Sequence, residues 1–179
     1  MAMNHSELRQ AVIDSANMLV RTGAISMSHH GNFSVRVPNT DTILLTATSS
    51  FDNLKPENLA ILDLDGELIE GEINPTNAEI VHMHAIVYKE RPDTGAVVHT
   101  HSTYATSFAL ASRSLGCSYE ALVRSEMTDG IPLAKYGPRG SAESVSNIAD
   151  ALSATKNTKA VLLENHGVLA FGTIDSTGL

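Results

Sequence analysis

Tryptophan is absent from this chain, cysteine occurs once, and aromatic residues make up only 4% of it. A lone cysteine, Cys117, excludes an internal disulfide, and a reducing, cytoplasmic setting is therefore the expectation. With so few aromatics the core has to be built mainly from Leu, Ile, Val, Ala and Met. No uninterrupted apolar run exceeds four residues, as at 85–88, far short of the ~18 that a membrane span needs. Residues 1–5 show neither the charged nor the apolar region of a signal peptide. Basic side chains are in deficit, 12 against 20 acidic ones, for a net charge of -8. That field repels phosphate backbones, and with no basic stripe in view a nucleic-acid reader is not expected.

What remains is 179 residues with 42% hydrophobic and 18% charged side chains, the profile of one compact domain. No linker divides residues 1–179. Residues 5–22 carry an amphipathic helical period (Leu8, Val12, Ala16, Leu19), with Asn4 and Glu7 in capping-box spacing and Gly23 as the stop. Gly31-Asn32-Phe33-Ser34-Val35-Arg36-Val37 reads as a turn feeding an alternating strand, and 43–46 as a second strand. Asp65-Gly66 between alternating runs at 59–64 and 67–70 predicts a hairpin. Helices are predicted at 76–90, 102–112 and 141–152, and strands at 96–101, 160–163 and 168–171. Interleaved helices and strands with at least one hairpin predict a mixed α/β domain whose sheet is not purely parallel.

Eight histidines stand out, and they cluster. His99 and His101 lie two apart at the end of an apolar strand, where a period of two places both imidazoles on one face. His166 ends a second apolar strand and precedes Gly167. Two strand ends meeting at one pocket would supply three neutral nitrogens and leave a coordination position open, the arrangement of catalytic zinc; ordinary turn histidines are the competing reading. His82 and His84 also form a His-x-His pair, but on a helix two residues are about 200° apart. They are expected to be helix-surface residues, and His29-His30 loop residues. Glu79 opens the helix that leads into the histidine strand. It is a candidate ligand or base, or merely an acid favoured by the helix dipole. Asn32 with Ser34, and Thr48-Ser49-Ser50, are small polar turns able to offer donors to an anion.

Gly31-Asn32-Phe33-Ser34, Glu79, Arg91-Pro92-Asp93-Thr94-Gly95-Ala96-Val97-Val98-His99-Thr100-His101 and Leu162-Leu163-Glu164-Asn165-His166-Gly167 occur in that order. Together they resemble the class II aldolase/adducin family over nearly the whole chain. The resemblance implies a three-layer α/β/α fold with a mainly antiparallel (mixed) central sheet. It implies a divalent ion, usually zinc, held by His99, His101 and His166, with Glu79 as acid/base; by donor chemistry three imidazoles also accept iron, cobalt or manganese. Asn32, Thr48 and Ser49 would lie in the substrate's phosphate pocket. The family forms homotetramers in which a neighbour's tyrosine donates a proton, and Tyr119 is the nearest match. Three departures accompany these matches. Pro75-Thr76-Asn77-Ala78-Glu79 replaces the family's Pro-Ser-Ser-Glu and loses two phosphate-binding serines. Thr48-Ser49 stands where the family has Thr-Gly. The chain stops before the family's C-terminal helical segment.

Cleaving a carbon–carbon bond beside a carbonyl leaves an enediolate, whose charge is stabilised either by a Lewis-acidic ion or through a lysine Schiff base. None of the five lysines lies inside an apolar strand, which favours the metal route. The expectation is a zinc-dependent aldolase of carbohydrate metabolism, a lyase cleaving a sugar or sugar phosphate. A 4-epimerase of the same fold and a non-catalytic adducin-like assembly domain are the alternatives. Cupin and metallo-β-lactamase-like sites fit less well, since Tyr104 and Ala105, or Thr103, stand where each would need an acid.

Overall fold

A computed structural model describes residues 5–173. Its helices are α1 His5–Thr22, α2 Ala78–Glu90, α3 Thr103–Leu110, α4 Glu120–Arg124 and α5 Ala142–Ala154. Its strands are β1 Gly31–Arg36, β2 Thr42–Thr46, β3 Leu59–Asp63, β4 Leu68–Glu70, β5 Ala96–Thr100, β6 Leu133–Ala134, β7 Ala160–Leu163 and β8 Gly167–Gly172. The strands form one eight-stranded sheet in the order β4-β3-β2-β1-β5-β8-β7-β6. Every pairing is antiparallel except β6 with β7. The sheet is mainly antiparallel and mixed, as expected.

Alternation of side chains across the pleat sorts the core into layers. Ile43, Leu45, Val97, Val161, Leu163 and Leu169 face α2 and α5, meeting Ile80, Val87, Ile148 and Leu152. Leu44, Phe33, Val35 and Ile61 face the other way, onto Leu8, Val12 and Ala16 of α1. On that same side Leu162 and Val168 meet Ala109 of α3. The result is the three-layer α/β/α arrangement.

Local chemistry sets the boundaries. Gly23, at φ +69°, ends α1 in the left-handed region that a side chain resists; the predicted cap residue Asn4 lies outside the described residues. Ser141 caps α5 by accepting from the Ser144 N–H at 3.1 Å. Asp63 Oδ1 accepts from the N–H groups of Asp65 and Glu67, closing the predicted hairpin around Gly66. A single 3-10 turn, Pro75–Asn77, precedes α2, so that helix starts two residues later than its apolar pattern suggests.

Two expectations are corrected. β1 alternates in residue type but not in exposure, because Asn32 and Ser34 are buried against α2 while Phe33 and Val35 are buried against α1. His84 is not a helix-surface residue: it is 0% exposed and hydrogen-bonded to β1, whereas His82 is exposed. Ile80, His84, Val87 and Tyr88 form one i, i+4, i+7, i+8 stripe, and that stripe is the face α2 lays on the sheet.

Burial of α5 on the sheet is expected to dominate stability at this end of the domain. Leu152→Ala, at a fully buried position, should cost about 2–5 kcal/mol by leaving a cavity. Leu68→Ala on exposed β4 should stay within about 0.5 kcal/mol. Denaturant midpoints of the two variants check this ordering.

Candidate metal centre

β5 is the hub of the site, since it pairs with β1 on one side and β8 on the other. In those registers Gly31 lies opposite Thr100 and Asn32 opposite His99, while Thr100 lies opposite Val168. The end of β5 therefore meets the start of β1 and the start of β8. His99 and His101 come from the first of these ends, and His166 from the turn that enters β8.

The three imidazoles converge. Their ligating atoms all lie within 4.8 Å of one another, and the ring centroids are 4.6–5.2 Å apart. His99 Nε2 and His101 Nε2 are 3.1 Å apart. Two nitrogens of a tetrahedral zinc site with Zn–N of about 2.0–2.1 Å stand roughly 3.4 Å from each other, so the spacing suits a shared ion. His99 Nδ1 lies 3.0 Å from the Val168 carbonyl oxygen. Only a protonated Nδ1 can donate to a carbonyl, so the Nε2 lone pair of His99 is left facing its partners.

Each residue of the Asn165-His166-Gly167 turn has its reason. Asn165 adopts φ +58°, a left-handed conformation that Asn tolerates better than most residues. A Cβ on Gly167 would stand 2.6 Å from the Thr100 carbonyl oxygen, 2.9 Å from His101 Cδ2 and 3.1 Å from His99 Cε1. Only a glycine lets β8 begin this close to the rings.

Burial and mutual repulsion hold the cluster neutral. Burial first, then the neighbouring His166 and His101, push the His99 pKa well below the ordinary 6.5. Burial also lowers His166, to about 4, aided by His101 and Arg139. His101 moves the same way, through burial, His30 and Arg139. Neutral imidazole is the form that binds a metal.

A cavity of about 280 Å³ opens against the rings, lined also by His30, Asn32, Ser49, Asn77, Glu79 and Arg139. A second, of about 330 Å³, shares Glu79, His101, Arg139 and His166 and is walled by Ile80, Met83, Ile148 and Leu163. Glu79, in the first turn of α2, is ion-paired with Arg139 at 2.7 Å. Gly140 makes this approach possible: at φ +74°, a Cβ there would stand 2.5 Å from Glu79 Cβ.

The sequence-predicted residues thus divide. His99, His101, His166, Glu79, Asn32 and Ser49 come together around one cavity. Thr48 does not line it, and its hydroxyl donates to the Ser50 carbonyl at 3.0 Å. Tyr119 is 69% exposed at the start of α4 and lines neither cavity of its own chain. His30, His84 and Arg139 were not foreseen. His84 was recoverable from the apolar stripe of α2, but nothing in residue spacing tied Arg139 to Glu79.

The sequence model of the Class II Aldolase and Adducin N-terminal domain matches residues 10–175. This chain belongs to that family. Among similar family members, L-fuculose phosphate aldolase of Escherichia coli (strain K12) is 32% identical over 169 residues, covering 94% of this chain and 74% of that one. The 5-deoxy-D-ribulose 1-phosphate aldolase of Bacillus thuringiensis serovar kurstaki is 30% identical over 164 residues, covering 90% and 73%. A solved L-fuculose 1-phosphate aldolase superposes with a TM-score of 0.82 at 29% identity, over 96% of this chain and 77% of that one. The L-fuculose-1-phosphate aldolase of Thermus thermophilus gives 0.72 at 26% identity, over 94% and 80%. Among the described residues of this class II aldolase family member, no helix is long and apolar enough to cross a membrane.

A pH dependence follows for the metal-free protein. In the unfolded chain the histidines titrate near 6.5, whereas the buried His84, at about 3, and His166, at about 4, resist protonation when folded. Between pH 7 and 5 the unfolded state binds more protons, so stability falls as pH falls, and above pH 7 these groups contribute no slope. With chelator present, denaturant midpoints should drop across that window with more than one proton taken up per molecule unfolded. A flat or opposite trend would contradict the buried, neutral cluster.

Proposed function

We propose that this protein is a metal-dependent aldolase that cleaves a sugar phosphate by a retro-aldol reaction, a lyase of carbohydrate metabolism working in the cytoplasm as a homotetramer. The observation that carries this reading is the convergence of three neutral imidazoles beside a carboxylate, in a chain whose relatives are sugar-phosphate aldolases.

The donor set fits a divalent ion, zinc above all, and His99, His101 and His166 would hold it. When bound, the ion supplies Lewis-acid stabilisation for negative charge developing on substrate oxygen. Glu79 exchanges the carbon-bound proton, giving it to the enediolate carbon in cleavage and taking it in condensation: it lines both cavities, and its ion pair with Arg139 fixes the carboxylate in place. Asn32 and Ser49 bind the phosphorylated end of the substrate, with Arg139 adding positive charge to the same cavity. Asn77 lines the same cavity and donates one amide hydrogen to the Ala47 carbonyl at 2.7 Å, which anchors the turn that leads into α2. Thr48 supports the Ser49 turn through its own bond to Ser50. Tyr119, exposed on its own chain, serves the cavity of a neighbouring subunit by exchanging a proton with the oxygen that becomes the aldehyde carbonyl, removing it in cleavage and donating it in condensation.

The test is a cleavage screen of zinc-loaded protein on L-fuculose 1-phosphate, 5-deoxyribulose 1-phosphate and their unphosphorylated forms, with the released aldehyde trapped. Aldehyde release from a phosphorylated ketose is expected. His99→Ala should lose the stoichiometric ion and the activity together, and Glu79→Gln should keep the ion while slowing turnover roughly 10²–10⁴-fold. An epimer without free aldehyde, or His99→Ala protein that still turns over normally, would overturn the reading.

A further inference from the structure

His84 has a second role to explain. It sits on α2, is 0% exposed, and both ring nitrogens are engaged: Nε2 lies 2.5 Å from Asn32 Oδ1, and Nδ1 lies 2.7 Å from Ser34 Oγ. Ser34 Oγ is in turn 2.9 Å from Tyr88 Oη. The four side chains are 0%, 4%, 0% and 1% exposed, in the order His84, Asn32, Ser34, Tyr88.

Donor and acceptor bookkeeping fixes the direction of this chain. An amide oxygen only accepts, so His84 Nε2 carries the hydrogen and donates to Asn32 Oδ1. Nδ1 is then a lone pair, and the Ser34 hydroxyl must donate to it. That leaves the Ser34 oxygen to accept from the Tyr88 hydroxyl. Burial pushes the His84 pKa down to about 3, so the ring stays neutral with a single N–H, which the Asn32 oxygen places on Nε2.

The consequence falls on Asn32. Turning its amide over would set its NH2 against the His84 N–H, unless the ring hydrogen moved to Nδ1 and the Ser34 hydroxyl turned away from it, so reversal has to remake the whole buried chain at once. Its oxygen is therefore held toward α2, leaving donors to offer to the cavity that Asn32 lines with the three imidazoles. Asn32 is also the cross-strand partner of His99, so the amide is anchored one strand away from the ligand cluster.

We propose that His84 is a positioning residue that locks the Asn32 amide with its N–H groups facing the substrate, making this wall of the site selective for an anionic oxygen. The identity of that oxygen as part of a sugar phosphate rests on the aldolase reading; the lock itself does not.

The experiment compares His84→Phe, which keeps the volume apolar, with His84→Gln, which restores an N–H donor, and combines His84→Phe with Asn32→Ala. The readouts on the zinc-loaded full chain are metal content, inorganic phosphate affinity by calorimetry, and kcat and KM for cleavage. Expected for His84→Phe is full metal content with phosphate affinity and kcat/KM reduced at least tenfold, and for His84→Gln recovery to within about threefold of the parent. The double variant should be no worse than Asn32→Ala alone, since a lock has no effect once the amide is gone. Additive losses, or a His84→Phe protein that binds phosphate like the parent, would overturn the lock. Should His84→Phe fail to fold, His84→Gln decides: parent-like phosphate affinity supports the lock, and a tenfold or greater loss overturns it. Absence of cleavage in the parent itself would strike the aldolase reading and leave the phosphate comparison standing.

Discussion

The antiparallel pairing of β5 with β1 and β8 is the constraint on which the rest depends. Backbone hydrogen bonds fix the registers that set Asn32 opposite His99 and Thr100 opposite Val168. Because side chains alternate strictly across a pleat, a slip of one residue in either pairing would turn the site's contributions to the wrong face. The apolar layers guard against such slips, since Val97, Leu169 and Leu163 must stay on the α2–α5 side. Chemistry at the sheet end is thus held in place by hydrophobic burial in its middle.

Concentrating polar groups at a buried strand junction has an energetic cost that the surroundings offset locally. His99 gives its Nδ1 hydrogen to Val168, His84 bridges β1 and α2, and Thr46 accepts from the Phe33 N–H at 3.0 Å. Among the described residues, Thr106 Oγ1 is the buried side-chain atom left without a partner. Two glycines do a complementary job by giving up volume. Gly167 lets β8 start against the rings, and Gly140 lets the Arg139 loop close onto Glu79.

Much of this was legible in the residues, for identifiable reasons. His99 and His101 declare themselves because a two-residue step in an apolar strand has one geometric meaning, and His166 because Asn-His-Gly marks a tight strand entry. The hairpin at Asp65-Gly66, the stop at Gly23 and the helix start at Ser141 are likewise local chemistry. His84 departs from the surface expectation because its i+4 relation to Ile80 and Tyr88 puts it on the buried face of α2, which its spacing from His82 does not reveal. Arg139 was invisible because its partner Glu79 is brought to it by folding and by no local pattern. β6 and α4 escaped for the same reason: β6 is two residues long and is defined only by its pairing with β7. Tyr119 rests on resemblance alone and Thr48 on resemblance together with a small polar turn, and neither lines the cavity of its own chain.

The central claim is that three imidazoles from two converging strand ends share one ion. X-ray absorption of the zinc-loaded protein measures this directly. The account predicts three imidazole nitrogens at about 2.0–2.1 Å together with oxygen ligands. A first shell with fewer than three imidazoles, or one unchanged in His166→Ala, would contradict it.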